Sequence, residues 1–115
     1  MEAEQIGRLR DVLTASQLIA VYVKDAKEEE FYGNTEKQDA IIRRIEIIGE
    51  AVVHLNEATR QAIPELPYRK MRGMRNLVAH DYSNVDLKIV WEVATQHVPE
   101  VCRVLETFFR TSMSR

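Results

Sequence analysis

The sequence predicts an all-α protein, an antiparallel bundle of four main helices and one short one. Three observations carry that expectation. Ala, Glu, Lys, Leu, Ile, Arg and Val dominate a chain of 115 residues that holds only four glycines and three prolines, a composition rich in helix formers and poor in breakers. Apolar residues recur at spacings of three and four along most of its length, the period of one helix face. No segment alternates with period two, as a half-buried strand would.

The first helix is expected over about residues 3 to 24, where Ile6, Leu9, Leu13, Ala20 and Val23, with Val12 and Ile19 beside them, recur at helical spacing. The segment from Lys27 to Asn34 interrupts the pattern. Thr35, with Gln38 three residues on, forms a capping-box signal for a second helix over about 35 to 56. Its Ile41, Ile45, Ile48, Val52 and Leu55 are spaced 4, 3, 4, 3, as in a helix packed lengthwise on a neighbour. Asn56 to Ile63 reads as the short helix, ended by Pro64 and Pro67. Pro67 also suits the entry to the next main helix, about 67 to 80, with Asp81 to Asn84 as its exit turn. From Asp86, a candidate N-cap, the longest stripe runs through Leu87, Trp91, Ala94, Val98, Val101, Leu105 and Phe108. Pro99 lies inside it but off the stripe, which predicts a kink or short break near residues 95 to 98.

The length suits one domain spanning residues 1 to 115. A net charge of −2 and a pI near 5.9 argue against a wholesale nucleic-acid binder and leave any such binding to a local patch. The single cysteine, Cys102, allows no internal disulfide or thiolate metal site and reads as a small buried residue. Met1 is followed by Glu-Ala-Glu-Gln rather than a basic, apolar leader. No apolar run approaches the roughly 20 residues needed to span a bilayer, so the expected location is the cytoplasm, without a membrane partner.

The stretch from Met71 to Tyr82 carries the chemistry, because Arg75, His80 and Tyr82 fall within eight residues. An arginine can grip a phosphate through two donors, and histidine ordinarily titrates near neutrality. Arg69, Lys70, Arg72 and Arg75 also cluster, with no acidic side chain between Glu65 and Asp81. This is either a patch for RNA or a solvated helix face. His80 is either a proton-transfer group or a structural histidine, capping a helix end or satisfied in the core. On an ideal helix Arg75 and His80 stand about 140° apart, so a helix end near Asp81 is needed to swing the imidazole towards the arginine. Metal-free RNA cleavage requires a base for the 2′-OH, an acid for the leaving 5′-oxygen and a cation over the phosphate. One chain supplies half of that set. A two-fold dimer would supply two histidines and two arginines to one cleft. Tyr82 is a packing residue, a substrate contact or a modification acceptor. His54 and His97 match no metal-ligand spacing and read as structural. Gly73 is a candidate for close helix approach at an interface, and Glu46 and Glu50 are candidates to orient Arg75.

The ordered set Ile47-Ile48-Gly49-Glu50-Ala51, then Pro67 to Asn76, then His80-Asp81-Tyr82, Val85-Asp86 and Val90-Trp91 resembles the HepT family of HEPN-domain proteins over nearly the whole chain. Arg75, Asn76 and His80 match the family's Arg-polar-spacer-His hallmark, and Tyr82 matches the tyrosine that HepT-like members place two residues after the histidine. The resemblance implies a HEPN-like bundle and a ribonuclease toxin that needs neither metal nor cofactor. It would act as a homodimer, with Arg75 and His80 catalytic and Asn76 and Tyr82 supporting. Arg69, Lys70 and Arg72 would hold RNA. The partner implied is an MntA-like nucleotidyltransferase antitoxin that silences the toxin by transferring AMP to Tyr82. The rival reading is a non-catalytic helical subunit that positions substrate for a nucleotidyltransferase.

Overall fold

A computed structural model of the chain describes residues 1–77 and 85–112. Its described residues form an antiparallel all-α bundle. The elements are α1 (Ala3–Val23), α2 (Glu28–Tyr32), α3 (Thr35–Val52), α4 (Glu57–Ala62), α5 (Tyr68–Leu77) and α6 (Leu87–Glu92), then a π-helical stretch, Val93–His97, and α7 (Val98–Ser112). The main helices are α1, α3, α5 and the composite rod from α6 to α7. α3 is central, packed by α1 on one side and α5 on the other, while α7 closes against α1.

The seam of α3 is as the spacing predicts: Ile41, Ile45, Ile48, Val52 and Leu55 are all buried. The cap differs from the expected Thr35. Asn34 is the N-cap, its side chain accepting from the Lys37 N–H at 3.0 Å. Gln38 does not reach back to the cap; its amide donates to the carbonyls of Phe31 and Tyr32, each at 3.0 Å. The helix also ends at Val52 rather than near 56, and Leu55 stays buried in the turn beyond it.

The seam of α1 is rotated from the one the apolar residues suggest. Gln5, Leu9, Val12, Ser16 and Ile19 are buried with Ala15, whereas Ala20 is exposed. Two polar residues occupy the seam because their groups are satisfied there, as burial demands. Ser16 donates to the Leu13 carbonyl at 2.8 Å. Gln5 donates to the His54 carbonyl at 3.0 Å and accepts from the Asn56 N–H at 2.9 Å, joining the start of α1 to the α3–α4 turn.

The interruption at residues 27 to 34 contains α2, a helix too short for periodicity to show. Three glutamates in its first turn complement the positive end of the helix dipole. The Tyr32 hydroxyl donates to Glu28 at 2.5 Å, and fully buried Phe31 anchors the helix, its ring centroid 5.2 Å from that of Trp91. Asn56 caps α4, accepting from the Thr59 N–H at 2.8 Å. Asp86 caps α6 as expected, accepting from the Lys88 N–H at 2.9 Å. The predicted break before Pro99 is the π-helical stretch. Proline offers no N–H to the carbonyl four residues back, and its ring crowds that carbonyl. A locally widened turn accommodates both effects.

Candidate functional site

α5 carries the predicted site. Buried Met71 and Met74 face the core, which fixes the other side chains by helical geometry. Arg69, Arg72 and Asn76, at spacings of three and four, share the outer face and are exposed. Lys70 lies on the flank towards α7, its Nζ 3.9 Å from Glu100. A shallow groove on that flank is lined by Lys70, Leu77, Ile89 and His97, among others. Tyr68 ties down the start of the helix. Its hydroxyl donates to the Ile63 carbonyl at 2.6 Å, and burial pushes its pKa up to about 12, so the phenol stays a donor at all ordinary pH.

Arg75 lies on the opposite flank, against α3. A Cβ added at Gly49 would fall 2.4 Å from the Arg75 backbone nitrogen, 2.7 Å from its Cα and 2.8 Å from its Cβ. The two helices therefore touch here through backbone, and the Arg75 side chain leaves α5 beside α3. Arg75 is exposed. Among the described residues its guanidinium pairs with no carboxylate: the ion pairs there are Arg8–Glu4, Arg43–Glu46 and Lys70–Glu100. Neither glutamate proposed to orient it does so. Glu46 is taken by Arg43, one turn away on its own helix, and Glu50 lines a polar cleft with Arg8, Asp11 and Arg44 on the α1 side.

Among the described residues Gly73 serves no helix contact inside the chain. Within the chain a Cβ there would meet nothing within 4 Å, and the close approach that the chain itself makes is at Gly49. Gly49 stood inside the matched Ile47-to-Ala51 segment with no role attached. The available signal was a glycine interrupting a stripe of buried isoleucines and valines. His80, Asp81 and Tyr82 lie outside the described residues, as does the predicted exit turn. Cys102 is half-buried rather than buried; its thiol donates to Glu106 at 3.2 Å, and burial pushes its pKa up. No group of three or more His, Cys, Asp or Glu among the described residues is placed to hold a metal ion. No helix among them is long and apolar enough to cross a membrane.

Comparison with known proteins adds to this geometry. The family model described as "Ribonuclease HepT-like" matches residues 12–108. The chain is 35% identical over 102 residues to "Putative RNase MJ0125" of Methanocaldococcus jannaschii, covering 89% of this chain and 88% of that one. It is 32% identical over 93 residues to "Probable ribonuclease HepT" of Thermococcus cleftensis, covering 81% of this chain and 84% of the other. A longer Methanocaldococcus jannaschii protein, "Gamma-glutamylcyclotransferase and putative RNase MJ0434", is 36% identical over 102 residues, and the chain spans only 46% of its length. No solved structure matches the chain significantly.

Proposed function

The chain belongs to the HepT-like ribonuclease family, and on that premise we propose that it is a metal-independent ribonuclease, the toxin of a toxin–antitoxin pair. The family match, which spans α5 and the whole Arg75-to-Tyr82 motif, is the observation that carries this reading. The exposed guanidinium of Arg75, paired with no carboxylate among the described residues, supports it, since an arginine that must meet a phosphate is better left unneutralised.

In the proposed reaction, residues 1 to 115 form one HEPN-like domain that works as a cytoplasmic homodimer. His80 accepts the proton of an RNA 2′-OH, and the freed oxygen attacks the adjacent phosphorus. Arg75 neutralises the charge gathering on the phosphorane oxygens. As the bond from phosphorus to the 5′-oxygen breaks, the partner's His80, protonated, returns a proton to that oxygen. The products are a 2′,3′-cyclic phosphate and a free 5′-hydroxyl. Asn76 positions the scissile group, and Arg69, Lys70 and Arg72 hold flanking phosphates as point or forked cations. An MntA-like nucleotidyltransferase partner silences the enzyme by AMP transfer to Tyr82. The adduct's bulk and negative charge, two residues from His80, obstruct a phosphate cleft.

The test is incubation of unmodified protein with messenger and transfer RNA in excess EDTA, beside its His80→Ala form. Products ending in 2′,3′-cyclic phosphate, made only by the wild type, are expected. Absence of cleavage by protein whose intact mass proves it unmodified would overturn the reading in favour of a non-catalytic substrate-binding subunit.

A further inference from the structure

We propose that Gly49 is a positioning residue for Arg75. By leaving α3 bare at the crossing, it lets the Arg75 backbone seat directly on α3 and so sets where the guanidinium stands. The inference rests on the ribonuclease reading and adds to it a residue on a different helix.

Glycine is the poorest helix former after proline, yet Gly49 lies buried within the last turn of α3, between Ile48 and the Glu50-Ala51 step. The atoms it admits are the nitrogen, Cα and Cβ of Arg75, at 2.4, 2.7 and 2.8 Å from where a Cβ would stand. None of these can rotate aside as the tip of a flexible side chain would. A methyl group at position 49 has to move α5 as a body. The seat falls on the one residue of the described motif whose charge must be placed over phosphorus, not on Met71 or Met74, which supply the apolar burial. Arg75 has no hydrogen bond or ion pair among the described residues to steer its side chain. The placement of its backbone is therefore what aims it. A displacement near 1 Å at such a group costs on the order of 100-fold in rate.

The decisive experiment is a double-mutant cycle on metal-free RNA cleavage using the full chain. The proteins are wild type, Gly49→Ala, Arg75→Ala and the double variant, with Gly73→Ala as a control that meets nothing within 4 Å. Single-turnover rates at excess protein read the residual activity of the arginine variants. Gly49→Ala is expected to lower kcat by roughly 10- to 100-fold while KM changes less than about threefold. In the Arg75→Ala background the same substitution is expected to cost several-fold less, because the group it chiefly misplaces is gone and only the other α5 side chains are still displaced. A folded Gly49→Ala protein that cleaves like wild type, or loses the same factor in both backgrounds, overturns the proposal.

If Gly49→Ala is unfolded at the assay temperature, the cycle is run in the Gly73→Ala background, which gains helix propensity. Failure to fold there too also overturns it, since the contact would then serve the fold rather than the arginine. If the wild type cuts no RNA, the ribonuclease reading fails by itself, and the NMR resonance of the Arg75 Nε–H decides the placement. A shift in Gly49→Ala but not in Gly73→Ala upholds the seat, and an unmoved resonance removes it.

Discussion

α3 meets its two neighbours by different means. It shares one side-chain core with both, to which α1 gives Leu9, Val12 and Ile19, α3 gives Ile41, Ile45 and Ile48, and α5 gives Met71 and Met74. Towards α5 it offers an absence as well, and backbone meets backbone at Gly49 and Arg75. A side-chain interface yields to trimming or repacking, because rotamers and small shifts absorb part of each change. A backbone seat has no rotamers, so it resists additions and locates its partner more rigidly. The motif helix is thus placed sterically on one flank, while the other is held by a partly exposed pair, Lys70 and Glu100, at 3.9 Å.

That contrast breaks down or sharpens under substitution. The largest effect is expected from trimming the side-chain interface. Ile45→Ala should cost about 2–5 kcal/mol through lost burial and a residual cavity, read as a lower denaturant midpoint at unchanged slope. A loss below that range would mean that the core around Ile45 is loosely packed. Adding a methyl at the seat comes next: Gly49→Ala should destabilise by ~1–3 kcal/mol as overpacking, the opposite sign from the usual gain of alanine over glycine in a helix. A stabilised variant in thermal denaturation would show that α5 is not seated there.

Gln5→Ala tests whether the polar part of the α1 seam carries weight. It leaves the His54 carbonyl and the Asn56 N–H without their buried partner, at a cost of roughly 1–2 kcal/mol. Faster hydrogen exchange at the Asn56 amide is the accompanying signature. Smaller still, Gly73→Ala should stabilise by about 0.5–1 kcal/mol in an open helix interior. Lys70→Ala should change the melting temperature little, as exposed ion pairs contribute up to about 1 kcal/mol, while weakening RNA binding in a salt-dependent way.

Titration probes the entry to α5. Tyr68 ionises at about 12, raised by burial from the ordinary phenol value. A raised folded-state pKa means that the neutral form is favoured on folding. That contribution is therefore whole below the unfolded pKa near 10 and fades as pH rises from there through 12. Tyr32, hydrogen-bonded to Glu28, is raised to about 12 as well, so ultraviolet titration of wild type against Tyr68→Phe should show the high-pH absorbance step shrink by one phenol; an unchanged step would remove this account of the helix start.

These contrasts mark what was legible in the sequence. The seams of α3 and α7 were, because their buried positions are apolar and evenly spaced. The seam of α1 was not, because Gln5 and Ser16 belong to it and apolar periodicity does not register polar residues satisfied by backbone. α2 escaped for its length, and the cap of α3 shifted by one residue because Asn34 outcompetes Thr35 for the first free N–H groups. Within the candidate site, the residue types of Arg75 and Asn76 stood out from their chemistry, and their exposure follows from the burial of Met71 and Met74. The part played by Gly49 could not be read, because what a glycine admits depends on a residue from another helix.

The Gln5 bridge has a consequence for the order of events during synthesis. Its acceptor and donor partners lie 49 and 51 residues downstream, so α1 leaves the ribosome before them and its buried glutamine stays unpaired until the α3–α4 turn has followed it out. Closing so long a loop costs chain entropy before any contact repays it. α1 is made before both helices that cover it, α3 and α7, and its apolar face stays uncovered until α3 has emerged.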